Sequence, residues 1–170
     1  AIGMAGSGKT VCALAAGLSQ VIDDNKAYSR LIVTRPVQPF GKEIGFLPGT
    51  KEEKMREWLA PVWDNLSEII GGYKKNRTIS GHRSIKALIE EYVEQGIIEI
   101  EALTYIKGRS ISNAFVIVDE AQDLTEDMLK RILTRLGTNS KLILTGDVSQ
   151  IDNSNINPYD SDFVNVIHKM

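Results

Sequence analysis

Cysteine and histidine are scarce in this sequence of 170 residues, which contains one cysteine, Cys12, and two histidines. A lone cysteine cannot form an internal disulfide, and one thiol with two imidazoles cannot supply the ligands of a Cys/His zinc site. An extracellular disulfide framework and a zinc-stabilised fold are therefore excluded. This cysteine usage favours a reducing, cytoplasmic location.

Long apolar runs and an excess of one charge are missing as well. No stretch approaches the roughly 20 apolar residues of a membrane-spanning helix, and no charged region ahead of an apolar one begins the chain. We therefore expect neither a membrane partner nor secretion. The net charge is −2, from 20 basic and 22 acidic side chains, so any binding of nucleic acid must depend on a local basic patch.

The sequence does contain an alternation of helical and strand patterns. Helices are predicted over residues 8–24, 51–71, 84–95 and 125–136, with a kink or two abutting helices at Pro61. Strands are predicted over residues 31–35, 97–103, 115–118 and 141–145, and a last short helix near Val164 and Ile167. Because strands alternate with helices, we expect an α/β fold with a mainly parallel sheet and helices on both faces.

The first residues fit a phosphate-binding loop, the Walker A pattern. Gly3-Met4-Ala5-Gly6-Ser7-Gly8-Lys9-Thr10 matches G-x-x-x-x-G-K-[ST] without a mismatch and opens the first predicted helix. Glycines allow backbone N–H groups at a helix N-terminus to surround an anion. In this pattern Lys9 reaches the β and γ phosphates, and the Thr10 hydroxyl binds Mg²⁺. A glycine-rich helix start without a ligand is the alternative.

Two carboxylates follow the apolar strand over residues 115–118. A triphosphate site needs an acidic residue near its metal, at the end of a strand beside the loop. We therefore predict that Asp119 binds Mg²⁺ and that Glu120 orients or deprotonates the attacking water. The alternative is an acidic pair that only precedes the next helix.

Asp147 and Gln150 follow the strand over residues 141–145. This position is the carboxyl edge of the sheet, where open α/β folds bind ligands. A glutamine amide there can donate to the γ-phosphate and accept from the water, so Gln150 is predicted as a catalytic residue that contacts the third phosphate. A polar turn after the strand is the alternative.

Several short blocks, in order over about residues 3–152, resemble known ATPases. Asp119-Glu120-Ala121-Gln122 and Thr145-Gly146-Asp147-x-x-Gln150 are similar to motifs II and III of superfamily 1 helicases. With them, further blocks resemble the PhoH family: Thr34-Arg35-Pro36, Gly45-Phe46-Leu47-Pro48-Gly49, Gly108-Arg109-Ser110 and Asn113-Ala114-Phe115. The resemblance implies a RecA-like P-loop NTPase fold, hydrolysis of ATP and assembly into a homo-oligomer, with a hexamer as one form. In members fused to an N-terminal PIN nuclease domain, it also implies RNA unwinding and cleavage.

The extent of the resemblance sets the expected domain. The glycine-rich loop lacks the usual upstream strand, and Asp160-Ser161-Asp162-Phe163 stands where members commonly have a more glycine-containing stretch. We expect residues 1–170 to form a single PhoH-like domain, truncated at its first strand and at its C-terminus. No nuclease activity is assigned to it, because the PIN domain is separate from this segment.

A length of 170 residues is enough for one RecA lobe, whereas a superfamily 1 helicase closes two lobes around ATP. We therefore expect a neighbouring subunit to supply the cation that stabilises charge on the γ-phosphate. Arg109 and Arg135 are the candidates, and each has an alternative role in a surface or intrachain ion pair. Arg109 is the one predicted as catalytic.

The candidates for contact with nucleic acid each have an alternative. Arg35 either contacts a phosphodiester backbone or braces the nucleotide or a carboxylate. The basic stretch over residues 74–86 either follows a phosphate backbone or is a solvated loop. Trp58 and Trp63 either stack on bases or pack in the core, and their helical spacing favours the core.

Together these patterns predict Mg²⁺-dependent ATP binding and hydrolysis, coupled in an oligomer to remodelling of RNA or single-stranded nucleic acid. Two alternatives stay open: a P-loop kinase that acts on a small molecule, and a scaffold that ATP binding switches without hydrolysis. Glu120 directly after Asp119 favours activation of water over transfer to an acceptor. The choice of ATP over other nucleotides comes from the resemblance, because the residues include no clear adenine-reading motif.

Overall fold

The computed structural model describes residues 1–23, 26–36, 51–76, 84–103 and 110–151, with Ile156, Phe163 and Asn165. Within residues 51–76 it describes the side chains of residues 59–72. The helices are α1 (Lys9–Ile22), α2 (Lys51–Asn76), α3 (Ile85–Glu94) and α4 (Glu126–Leu133). The strands are β1 (Arg30–Arg35), β2 (Ile98–Ala102), β3 (Ala114–Val118) and β4 (Lys141–Leu144).

The strands form one parallel sheet in the order β2-β1-β3-β4. At its carboxyl edge, Thr34 of β1 lies opposite Val118 of β3, which lies opposite Leu144 of β4. Ile2 adds an isolated parallel bridge to Gly146, just beyond β4. This register brings the predicted motifs at the ends of β1, β3 and β4 to the same edge as the glycine-rich loop.

The two faces of the sheet carry different helices, as the alternation predicts. Alternate strand residues such as Val33 and Ile117 pack with α1, α2 and α3 in one buried cluster. Residues of opposite parity, such as Val118 and Leu144, pack with α4 in another cluster. The predicted α/β class, with a parallel sheet covered on both faces, is therefore confirmed.

Helix α1 lies close against the sheet because glycine occupies its inner face. Gly17 is buried in line with Leu14, Leu18 and Val21, at helical spacing. A Cβ atom on Gly17 would lie 2.7 Å from Leu31 Cδ1 and 3.0 Å from Phe115 Cδ1. The small residue therefore sets how near the helix that follows the loop approaches β1 and β3.

Helix α2 differs from its prediction. It is one helix over Lys51–Asn76, which continues past the predicted end at residue 71 and contains Pro61. Of the two alternatives predicted at Pro61, a kink or two abutting helices, the second is therefore wrong. Proline removes a helical hydrogen bond, but the buried side chains of Leu59, Val62 and Leu66 hold both flanks on the core. Trp63 packs against the same cluster, which confirms its core role, whereas the side chain of Trp58 lies outside the described residues.

The end of α4 also differs. The helix was expected to continue to residue 136, but it ends at Leu133, with Thr134 as its cap. Leu136 instead bridges Ile111, and the Gly137 N–H donates to Ile111 O at 2.7 Å. Long-range pairing therefore ends the helix about one turn early.

Near the end of the chain, Phe163 is buried against the α4 face of the sheet. Of the predicted last helix, the structure describes Phe163 and Asn165, which are both helical, whereas Val164 and Ile167 fall outside the described residues. No helix in the part of the chain that the structure describes is long and apolar enough to cross a membrane.

Candidate active site

A cleft of about 290 Å³ opens at the carboxyl edge of the sheet. One wall is residues 5–11, from the glycine-rich loop and the start of α1. The other wall carries side chains or backbone from α2 and from the segments after β3 and β4, namely Asn65, Asp119, Glu120, Gly146, Asp147 and Gln150. The fold thus brings three predicted motifs to one cavity.

The loop has the backbone conformation of an anion site. Gly6 and Gly8 have φ angles of 72° and 82°, in the left-handed region that glycine adopts without strain. Gly8 is the N-cap of α1, and neither a capping side chain nor an acidic residue in the first turn neutralises that end of the helix. The first N–H groups of α1 therefore face the cleft with the positive end of the helix dipole.

Lys9 is bent back over the loop. Its Nζ donates to Gly3 O at 2.6 Å and to Met4 O at 2.8 Å. Among the described residues that line the cleft, Lys9 is the only basic side chain. Its ammonium group is therefore held at the cleft by carbonyl oxygens that the oxygens of a phosphate could replace.

The predicted metal residues lie side by side. Thr10 Oγ1 donates to Asp119 Oδ1 at 2.8 Å, across 109 residues of sequence. Thr145 Oγ1 donates to the same oxygen at 2.7 Å. Asp119 is buried, and these two hydroxyls fix the orientation of its carboxylate.

Hydroxyl and carboxylate oxygens suit a hard cation such as Mg²⁺. No group of three or more His, Cys, Asp or Glu residues in the described segments could hold a metal ion. Mg²⁺ at phosphate sites commonly takes one or two protein oxygens, with phosphate and water completing its shell. Thr10 and Asp119 therefore fit this ion.

Glu120 has an unusual backbone. Its φ of 56° is in the left-handed region, which is strained for a residue with a side chain. The next residue, Ala121, donates its N–H to Thr145 O at 2.8 Å and so ties the turn to the end of β4. The surrounding structure holds Glu120 in this conformation at the mouth of the cleft.

Arg35 braces the two carboxylates. Its Nη2 lies 3.0 Å from Glu120 Oε1, and its Nε lies 3.5 Å from Asp119 Oδ2. Of the two roles expected for Arg35, contact with nucleic acid or a brace, the structure shows the brace on a carboxylate.

Gln122 connects Glu120 to the segment after β4 that contains Asp147 and Gln150, which is called the third motif below. Its Nε2 donates to Glu120 Oε2 at 2.8 Å and to Gln150 O at 3.0 Å. Its Oε1 accepts the Asp147 N–H at 3.0 Å. A buried amide therefore links the segment after β3 to the segment after β4.

Asp147 lies beside the glycine-rich loop rather than beside Thr10 and Asp119, the residues predicted to bind the metal. Its carboxylate accepts hydrogen bonds from the Ser149 hydroxyl at 2.6 Å and from the Ser149 N–H at 3.0 Å. These bonds, with a further one from the Ala5 N–H, hold the pKa of Asp147 below its usual value. Asp147 is therefore an ionised group that ties the third motif to the glycine-rich loop.

The positions of the arginine candidates differ. Arg109 falls outside the described residues. Arg135 follows α4, next to the bridge between Ile111 and Leu136 at the amino end of the sheet, away from the cleft. Within one chain, Arg135 does not line the site.

Sequence reasoning missed three residues of this site. Thr145 and Gln122 were quoted as parts of motifs but given no role. The register could have revealed Thr145, because Val118 pairs with Leu144 and the next residues are Asp119 and Thr145. Asn65 lines the cleft from the middle of α2, and no local pattern distinguishes it.

Comparison with known proteins shows the family of this chain. The sequence matches the PhoH-like protein family over residues 1–170. The chain belongs to this family. The PhoH family is a nucleotide-binding family with the P-loop fold, and the parallel sheet and loop described above are consistent with that fold.

Curated PhoH relatives are similar over nearly the whole chain. Protein PhoH2 of Bacillus subtilis is 44% identical over 168 residues, which are 99% of this chain and 36% of that protein. Protein PhoH2 of Thermobispora bispora is 39% identical over 99% of this chain and 35% of its own length. A PhoH-like protein of Synechocystis is 42% identical over 89% of this chain and 41% of its own length. The chain thus spans less than half the length of each of these relatives.

Proposed function

We propose that this PhoH-like domain binds ATP with Mg²⁺ in the cleft and hydrolyses its β–γ phosphoanhydride bond. The observation that carries the proposal is the contact of Thr10 Oγ1 with Asp119 Oδ1 at 2.8 Å, beside a loop with two positive-φ glycines. A hydroxyl, a carboxylate and uncapped N–H groups meet there. This combination suits a metal-bound polyphosphate.

The loop and Lys9 bind the phosphates in this proposal. The N–H groups around Gly6 and Gly8 donate to phosphate oxygens, and the α1 dipole favours their negative charge. Lys9 exchanges Gly3 O and Met4 O for the β and γ oxygens. This exchange replaces two neutral acceptors with charged ones, which form the stronger hydrogen bonds.

Thr10 and Asp119 hold the Mg²⁺ ion, and Thr145 keeps Asp119 oriented toward it. When bound, Mg²⁺ neutralises charge that develops on the β and γ phosphates.

Glu120 acts on the attacking water. The water oxygen bonds to the γ-phosphorus, the bond from that phosphorus to the β–γ bridging oxygen breaks, and ADP and inorganic phosphate are released. Glu120 takes the proton that the water loses, and Gln150 contacts the third phosphate. Both residues line the cleft, Glu120 in the segment after β3 and Gln150 in the segment after the neighbouring strand β4.

We propose that the active form is a homo-oligomer, such as a hexamer. The described cleft presents Lys9 as its only basic side chain, whereas comparable phosphoryl-transfer sites use an additional arginine. Arg109 from a neighbouring subunit is the proposed source. Coupling to RNA or single-stranded nucleic acid rests on the family resemblance, because the basic residues over 77–83 lie outside the described segments.

Glu120→Gln is the decisive variant. Removal of the proton acceptor should lower phosphate release about 10²-fold or more while the affinity for ATP, followed with a fluorescent analogue, changes little. Glu126→Gln, on the exposed first turn of α4, is the matched control and should keep wild-type turnover.

The wild-type assay separates the alternatives. Phosphate release from ATP without an acceptor supports hydrolysis, whereas release that requires a small acceptor indicates a kinase. ATP binding without release indicates a switched scaffold. The same assay with and without single-stranded RNA, run beside a mass measurement of the assembly, tests the coupling. Stimulation in an oligomer supports it, and an inert monomer contradicts it.

A further inference from the structure

We propose that Arg35 is a positioning residue for hydrolysis: its guanidinium group holds Glu120 in the orientation from which the carboxylate accepts the proton of the water. This role rests on the proposed ATPase function. The contacts of Arg35 at 3.0 Å with Glu120 and at 3.5 Å with Asp119 carry it.

The location of Arg35 separates it from groups that bind phosphate. It ends β1, which pairs with β3 on the side away from β4 and the glycine-rich loop. Arg35 is not among the residues that line the cleft, and its side chain is only 14% exposed. The guanidinium therefore contacts Glu120 on the side away from the cleft, so that Glu120 lies between Arg35 and the cleft.

The site has a physical need for such a group. Asp119 and Glu120 are adjacent in the sequence and both lie close to Arg35, so their negatively charged carboxylates repel each other. A guanidinium presents several N–H donors in a fixed plane and can contact both carboxylates at once. Arg35 therefore offsets the repulsion between the two carboxylates, through a hydrogen bond to Glu120 and a longer ion-pair contact with Asp119.

Glu120 is held at both oxygens. Oε1 accepts from Arg35 Nη2 at 3.0 Å, and Oε2 accepts from Gln122 Nε2 at 2.8 Å. Each carboxylate oxygen has a second lone pair, so the clamp leaves an acceptor site for water. Without Arg35, one side of the clamp is lost and the Glu120 side chain gains rotational freedom.

Rotation of the Glu120 carboxylate away from its position at the water has a characteristic kinetic effect. A catalytic group displaced by about 1 Å costs about 10²-fold in rate without any change in the groups that bind substrate. Arg35→Gln should therefore lower kcat by about 10-fold to 100-fold and leave the affinity for ATP within about twofold. Arg30→Gln is the matched control, because Arg30 lies on the same strand and pairs with Glu99 at 3.2 Å, far from the cleft.

A double variant separates positioning from general damage. If Arg35 acts through Glu120, Arg35→Gln with Glu120→Gln should be no slower than Glu120→Gln alone. A merely structural role would lower the rate again in the double variant and would also weaken ATP binding.

Arg35→Lys is the second variant, for the case in which Arg35→Gln unfolds. Lysine retains the charge but lacks the planar fork of donors, so the kcat of Arg35→Lys should lie between that of Arg35→Gln and that of the wild type. Where Arg35→Gln cannot be measured, the kcat of Arg35→Lys should still lie below that of the wild type. Folding of each variant is checked by thermal melting.

The possible outcomes are distinct. Wild-type protein that releases no phosphate would overturn the proposed function and the role of Arg35 together. Active wild type with unchanged kcat in Arg35→Gln, or with unchanged kcat in Arg35→Lys where that is the folded variant, would overturn the role of Arg35 alone. A loss confined to ATP affinity would assign Arg35 to binding instead.

Discussion

The orientation of the Asp119 carboxylate depends on two hydroxyl groups that come from distant parts of the chain. Thr10 Oγ1 and Thr145 Oγ1 both donate to its Oδ1, at 2.8 and 2.7 Å. In the proposed mechanism Thr10 also turns to the metal, so Thr145 remains as the fixed partner. Thr145 is fully buried, so no water can take the place of its hydroxyl without a rearrangement of the core.

The first prediction concerns this hydroxyl. Thr145→Val keeps the shape of the side chain but leaves the buried Asp119 carboxylate with one donor fewer. We expect the free energy of unfolding to fall by about 1.5–3 kcal/mol, the range for hydrogen bonds to charged groups. Urea denaturation measures this change.

Two controls accompany Thr145→Val. Thr145→Ser keeps the hydroxyl and should lose less stability. Thr134→Val removes an exposed hydroxyl that donates to Lys130 O, and it should cost about 1 kcal/mol or less. A larger loss in Thr145→Ser, which lacks the methyl group, than in Thr145→Val, which lacks the hydroxyl, would show that the methyl packing, rather than the hydrogen bond, supports the site.

At the scale of elements, the distance between α1 and the sheet fixes where the loop presents its N–H groups. A Cβ atom on Gly17 would meet Leu31 Cδ1 at 2.7 Å, so α1 must shift outward or the core side chains must leave their rotamers. Because the loop leads directly into α1, a shift of the helix moves the phosphate-binding groups as well.

The second prediction compares two helical glycines. Gly17→Ala gains helix propensity but overpacks the core, and we expect a net destabilisation of about 1–2 kcal/mol together with weaker nucleotide binding. Gly72→Ala is the matched control, because a Cβ atom at Gly72 meets nothing within 4 Å. It should stabilise the protein by about 0.5–1 kcal/mol. Thermal and urea unfolding measure both, and a stabilised Gly17→Ala would contradict the close approach.

The sequence predicted most elements because their signals are local. The apolar period of α1, the β-branched residues of β1 and the glycine-rich loop each depend on neighbouring residues. The end of α4 was misplaced because Leu136 and Gly137 pair with Ile111, a contact that no local pattern reveals. The continuity of α2 through Pro61 likewise depends on tertiary packing.

For the site, motifs identified which residues carry chemistry but not how they support each other. Asp119 and Glu120 follow a strand, and the loop has a fixed pattern, so both could be found from sequence. The brace by Arg35 depends on β1 pairing with β3 in one register, since the Asp119 N–H donates to Thr34 O at 2.9 Å. Asn65 depends on how α2 docks, which sequence alone does not specify.

At the scale of the whole molecule, the described cleft holds more acidic than basic side chains. Lys9 faces Asp119, Glu120 and Asp147 there, before the charge of a bound triphosphate is added. A further cation at the γ-phosphate is worth about 10³–10⁵ in rate in comparable enzymes. A ring in which each subunit donates an arginine to its neighbour satisfies this need, because head-to-tail contacts repeat around a closed ring.

The last prediction tests donation between subunits by complementation. Arg109→Ala and Glu120→Gln should each abolish most turnover alone, since one lacks the donated cation and the other the proton acceptor. In a mixed ring, an Arg109→Ala subunit beside a Glu120→Gln subunit regains a complete site, so an equal mixture should recover about one quarter of the wild-type rate per subunit. Arg135→Ala in place of Arg109→Ala tests the other candidate. If each variant is inactive alone and neither mixture regains activity, the donation of these arginines between subunits is wrong.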